Sequence, residues 1–128
     1  HVAGQRTWGS PDYGDEERWR ADAAAAYDRS FDPSGVARQF FAIQAAGSWA
    51  DRLGEVNVPT LVMHGNRDTL IDISGGRRTA ELIPGARFVE IDGMGHDYPP
   101  ELWDRWVSEV SSFCHAHDDA PQADRAAG

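Results

Sequence analysis

The chain has 128 residues with 12 basic and 21 acidic side chains, and its formal charge of −9 disfavours nucleic acid as a partner. Hydrophobic residues make up 41% and charged residues 26%, which excludes a wholly disordered chain and suits one compact domain. No apolar run approaches the roughly 18 residues of a membrane span, so we expect no membrane partner. Cys114 is the single cysteine, which excludes an intrachain disulfide and leaves the redox character of the compartment open; a cytoplasmic setting is the default expectation.

The N-terminal half of the sequence predicts two helices. Asp15 is placed to cap a helix that runs through Arg29. Asp32 followed by Pro33 predicts a second helix start, and apolar residues then recur at helical spacing toward Ala46. The chain begins at His1 with no segment that resembles a signal peptide, so we expect a piece of a longer protein.

A β-α-β unit follows. Residues 60–64 and 87–91 are short apolar runs that predict strands buried on both faces, and residues 74–83 predict a helix between them. Strands joined by such a crossover helix are parallel.

A last helix is predicted to start at Pro99-Pro100 and to cover the sheet with a broad apolar face. We expect residues 114–128 to form a disordered tail. Possible metal ligands occur in residues 114–119, but no second cluster would complete a tetrahedron, so we expect no metal site.

Two polar motifs follow the predicted strands. The run HGNRD ends at Asp68, and the run GMGHD contains His96. Because the carboxyl ends of parallel strands meet at one edge of a sheet, the two side chains are expected to lie close together. Asp72 is the alternative acid, and Asp97 is interpreted as a helix cap or a supporting carboxylate. His64 is interpreted as a packing or hydrogen-bonding residue.

These motifs resemble the C-terminal third of the α/β-hydrolase superfamily, through VPTLVMHGNRD, IPGA and GMGH in that order. The resemblance implies an α/β fold class: the last two parallel strands with flanking helices, plus the end of a helical cap. It assigns residues 1–32 to the cap and 33–113 to the hydrolase core. It also implies catalytic roles for Asp68 as the acid and His96 as the base, with a small-molecule ester substrate and no cofactor. The run YDRSFDP resembles the cap of bacterial esterases, including anthracycline methyl esterases.

The family's nucleophile motif G-x-S-x-G does not occur in the sequence. Ser10, Ser48 and Ser74 each lie beside a glycine but lack its pattern. We therefore expect the nucleophile and oxyanion hole to lie outside these residues, the isolated chain to be inactive, and its exposed sheet edge to allow self-association. The alternatives are a truncated or non-catalytic binding module, or a relative with an aspartate nucleophile, such as a dehalogenase or an epoxide hydrolase.

Overall fold

The computed structural model describes residues 2–118. Within that range six α-helices and two strands follow one another, with 3₁₀ turns at Pro11–Tyr13 and Pro100–Leu102. In chain order they are α1 (Val2–Trp8), α2 (Glu16–Arg29), α3 (Pro33–Ala46), α4 (Ala50–Leu53), β1 (Leu61–Gly65), α5 (Ile73–Leu82), β2 (Arg87–Ile91) and α6 (Trp103–Ala116).

Helices α2 and α3 begin at the predicted caps. The Asp15 carboxylate accepts a hydrogen bond from the amide of Arg18 at 3.0 Å. The Asp32 carboxylate accepts from the amides of Ser34 and Gly35, each at 3.1 Å. Aspartate at this position satisfies amides that have no partner inside the helix. The short helices α1 and α4 were not predicted, because neither has a repeating apolar pattern long enough to detect.

Strands β1 and β2 pair in parallel, as predicted, with Leu61 opposite Arg87 and Gly65 opposite Ile91. The intervening helix α5 makes this a β-α-β unit, and its start and end lie one residue before those predicted. The side chains of β1 and β2 alternate between two faces of the sheet.

One face of the sheet carries the core, in which Val89, Ile91 and Met94 are buried against Leu102 and Trp106. The other face lies against α5. The expectation that both strands are buried on both faces is wrong for β2, because Arg87 and Glu90, which lie on opposite faces of that strand, are exposed. Only two strands pair within the described residues, so solvent reaches the sheet from its edges.

The last helix, α6, continues to Ala116, so residues 114–116 are helical rather than part of a tail. The His117 amide donates to the carbonyl of Cys114 at 2.9 Å, and the His117 ring lies against Phe113 with centroids 4.3 Å apart. These contacts extend the helix beyond the last apolar residue of its pattern. The remainder of the predicted tail, from residue 119 onward, lies outside the described residues.

The apolar face of α6 covers the sheet only in part. Trp106 contacts the core, whereas the side chains of Trp103 and Val107 are exposed. Across residues 2–118, no helix combines the length and the apolar character that crossing a membrane requires.

Candidate active site

The loop after β1, residues 66–72, holds Asp68 in a tight turn. Oδ1 of Asp68 accepts hydrogen bonds from the amides of Leu70 at 2.9 Å and Ile71 at 2.8 Å. Its side chain is only 6% exposed. Burial acts to raise the pKa of Asp68, but the two amides and the His96 ring stabilise the charged form more strongly, so the pKa lies below its ordinary value. Asp68 is therefore a carboxylate at neutral pH.

The histidine loop, residues 92–97, follows β2 and brings His96 to that carboxylate. Nδ1 of His96 lies 2.8 Å from Oδ2 of Asp68. An ionised carboxylate can only accept, so Nδ1 must carry the proton in this contact. The second ring nitrogen, Nε2, has no hydrogen-bond partner among residues 2–118, and the side chain is 46% exposed. A neutral ring in this state has a free lone pair on Nε2.

The two loops are joined by hydrogen bonds next to the pair. The side-chain oxygen of Asn66 accepts from the amide of Gly93 at 2.9 Å, and the side-chain nitrogen of Asn66 donates to Asp92 at 2.8 Å. The amide of Arg67 donates to the carbonyl of Met94, also at 2.9 Å. Each loop therefore supports the other.

Two glycines permit this close approach for different reasons. Gly93 has φ +74°, a left-handed conformation that favours glycine. Gly65 has no such φ, but a Cβ atom there would lie 2.2 Å from the carbonyl oxygen of Met94. Any side chain at position 65 would push the loops apart.

His64 and Asp72 occupy supporting positions. Nε2 of His64 lies 2.9 Å from the carbonyl oxygen of Ile71 and 3.5 Å from Oδ2 of Asp68. The His64 ring packs against Gly76 of α5, where a Cβ atom would lie 2.5 Å from Nδ1. Asp72 caps α5 by accepting from the amide of Ser74 at 2.9 Å, so its carboxylate is committed to the helix end.

The sequence does not predict the hydrogen bonds by which Ser10 supports the histidine loop. Its side chain is buried, with the residue only 1% exposed. Its hydroxyl donates to Asp97 at 2.5 Å and accepts from the amide of Gly95 at 2.8 Å. Asp97 thus supports this loop and does not cap the last helix, whose cap residues make no side-chain bond. Nothing near Ser10 in the sequence indicates a partner 85 residues away.

A cavity of about 190 Å³ opens at this edge of the sheet. Asp68 and His96 line it together with apolar side chains that include Met63, Ile71 and Trp106. A pocket that combines a few polar groups with apolar walls is typical of small-molecule sites. Within residues 2–118, no three side chains of His, Cys, Asp or Glu are grouped so as to hold a metal ion.

Comparison with known proteins places this chain in a family. A family model described as alpha/beta hydrolase fold matches residues 8–99, well over half of the chain. Among solved structures, the esterase RhEst1 from Rhodococcus sp. ECU1013 is similar, with 34% sequence identity and a TM-score of 0.49. That match covers 52% of this chain and 24% of the esterase, so the chain spans about a quarter of that protein's length. The extent of the family match shows that the chain belongs to the alpha/beta hydrolase fold family.

Proposed function

We propose that this chain is the C-terminal part of a serine hydrolase that cleaves carboxylic esters. In this proposal Asp68 is the acid and His96 is the base of a Ser-Asp-His triad, and the serine comes from a segment outside these 128 residues. The observation that carries the proposal is the 2.8 Å contact between Nδ1 of His96 and the buried Asp68 carboxylate.

The geometry suits transfer of a serine proton. With Nδ1 protonated toward Asp68, Nε2 of His96 is free to accept the proton of the serine hydroxyl as its oxygen bonds to the ester carbonyl carbon. The proton then passes to the departing alcohol as the ester C–O bond breaks. A water molecule hydrolyses the acyl-enzyme by the same route. The ionised Asp68 holds the tautomer and stabilises the imidazolium that forms in both steps.

Ser10 does not supply the nucleophile in this proposal. Its hydroxyl is buried and bonded to Asp97 and Gly95, so an ester cannot reach it.

The proposal is tested by comparing the 128-residue chain with a longer chain that includes a nucleophile elbow. On short p-nitrophenyl esters the 128-residue chain should match buffer, because the nucleophile and the oxyanion hole supply much of the rate. The longer chain should hydrolyse the esters and lose activity to a serine-directed phosphonate.

Two results would contradict the proposal. Phosphonate-sensitive turnover by the 128-residue chain would mean that one of its own serines is the nucleophile. A longer chain that binds esters without hydrolysing them would favour a binding module.

A further inference from the structure

The C-terminal end of α1 contacts both loops of the site. The hydroxyl of Thr69, beside Asp68, donates to the carbonyl of Thr7 at 3.0 Å. The amide of His96 donates to the carbonyl of Trp8 at 2.6 Å. The last carbonyls of a helix have no donors of their own, so the site loops satisfy this helix end. The helix in turn fixes the backbone of His96.

Ser10 forms hydrogen bonds with the residues on either side of His96. Its hydroxyl accepts from the amide of Gly95 and donates to the Asp97 carboxylate. Its own amide donates to the same Asp97 oxygen at 2.8 Å. One buried serine therefore holds the neighbours of His96 on both sides.

The two segments also touch through their backbones. A Cβ atom on Gly95 would lie 2.4 Å from the carbonyl carbon of Gly9 and 2.6 Å from the amide nitrogen of Ser10. Such distances leave no room for a side chain, so the N-terminal segment and the histidine loop are in direct contact.

We infer that residues 7–10, the N-terminal clamp, position His96 against Asp68, and that Ser10 is a positioning residue for the reaction proposed above, on which this inference rests. Ser10 touches neither substrate nor reacting atoms. It acts through the Gly95 amide and the Asp97 carboxylate, which limit rotation of the backbone that carries His96. A displacement of a reacting group by about 1 Å can cost roughly a hundredfold in rate.

The test measures the tautomer of His96 by nitrogen-15 NMR in the 128-residue chain, where no catalysis is needed. In the wild type, neutral His96 should carry its proton on Nδ1, because that nitrogen donates to Asp68. In Ser10→Ala, the signal should shift toward the Nε2-protonated tautomer. Hydrogen exchange of the Gly95 amide should accelerate about fivefold or more, as expected when one hydrogen bond is lost. The NMR signal of the His96 ring is identified by its absence from the spectrum of His96→Gln.

Matched variants separate positioning from general destabilisation. Ser34→Ala removes a hydroxyl from the start of α3 and should leave the His96 tautomer unchanged. Asp97→Asn keeps an oxygen that accepts from Ser10 and should retain the wild-type tautomer, whereas Asp97→Ala should lose it. The Asp97 pair keeps the test decisive if Ser10→Ala does not fold.

Failure of the clamp and failure of the proposed function give different results. A wild-type Nδ1 tautomer that survives both Ser10→Ala and Asp97→Ala overturns the positioning role and leaves the proposed hydrolase intact. An Nε2 tautomer in the wild type overturns the Asp68–His96 pair itself, and both inferences with it. In an active longer chain, Ser10→Ala should lower kcat by tenfold or more with little change in KM, roughly as expected for a misplaced base.

Discussion

The site loops and helix α3 differ in where their contacts come from. Every residue from Gly93 to Asp97 makes a hydrogen bond to another segment of this chain. Helix α3 instead exposes its apolar side chains, with Val36 at 76% and Ile43 at 67% exposure. The difference shows that the geometry of Asp68 and His96 depends on this chain's own contacts, whereas the apolar face of α3 is not covered by any of residues 2–118.

The largest effect is expected at the site of a longer, active chain. His96→Ala should lower kcat by about 10⁶, because the base takes part in both proton transfers. Asp68→Asn should cost about 10⁴, because the ring remains but its tautomer and charge are no longer held. Steady-state kinetics on p-nitrophenyl esters measure both losses.

Asp72→Asn is the control for these two variants. Asparagine caps a helix about as well as aspartate, so kcat should stay within roughly tenfold. A loss at Asp72 as large as that expected at Asp68, with Asp68→Asn still active, would reassign the acid. Circular dichroism must first show that each variant is folded.

Substitutions at two isoleucines, one in the core and one on α3, test this comparison through the free energy of unfolding. Ile91→Ala should lower the free energy of unfolding by about 2–5 kcal/mol, because Ile91 is 2% exposed and lies in the core. Ile43→Ala, on the exposed face of α3, should change it by less than about 0.5 kcal/mol. Urea denaturation followed by circular dichroism measures both values. Equal losses would show that α3 is packed in solution, which would remove the contrast.

A pair of glycines tests how tightly the N-terminal clamp meets the histidine loop. Gly95→Ala should cost about 1–3 kcal/mol, because its Cβ would meet backbone atoms of residues 9 and 10. Gly54 has ordinary helical φ and open space around it, so Gly54→Ala should be neutral or stabilise by roughly 0.4–1 kcal/mol. A harmless Gly95→Ala, in the same denaturation assay, would mean that the two segments are not in contact.

The smallest effect concerns acid stability. Because the pKa of Asp68 is lower in the folded state, its ionised form contributes stability that is complete above the unfolded value of about 3.9 and is lost as the pH falls through the folded value. Asp68→Asn should therefore flatten the decline in stability below about pH 5. Urea midpoints between acidic and neutral pH measure the slope. An unchanged slope would mean that Asp68 does not gain its stabilising partners on folding.

Much of the fold could be predicted because its signals are local. Asp15, Asp32 and Pro33 mark helix starts within a few residues of the elements they begin, and the strands are short apolar runs. The meeting of Asp68 and His96 followed from parallel strands, which end at one edge. Their catalytic roles stay a prediction.

The contacts of Ser10 could not be predicted in the same way. Its partners lie 85 and 87 residues along the chain, and a serine beside a glycine has no pattern that indicates burial. The sequence allows two interpretations of Asp97 for the same reason, since only the folded chain shows that Ser10 is its donor. The end of α6 was missed because hydrogen bonds extend that helix past its apolar pattern.

The bonding of the histidine loop determines when its conformational entropy is lost. Fixing one backbone residue costs roughly 1–2 kcal/mol, and the segment from Gly93 to Asp97 is fixed by bonds to two other parts of the chain, the loop after β1 and the N-terminal clamp. The chain loses this entropy when it folds, and not when it binds a ligand. If His96 is the base of the proposed reaction, its backbone is already ordered when the substrate binds, and the activation free energy need not include that ordering.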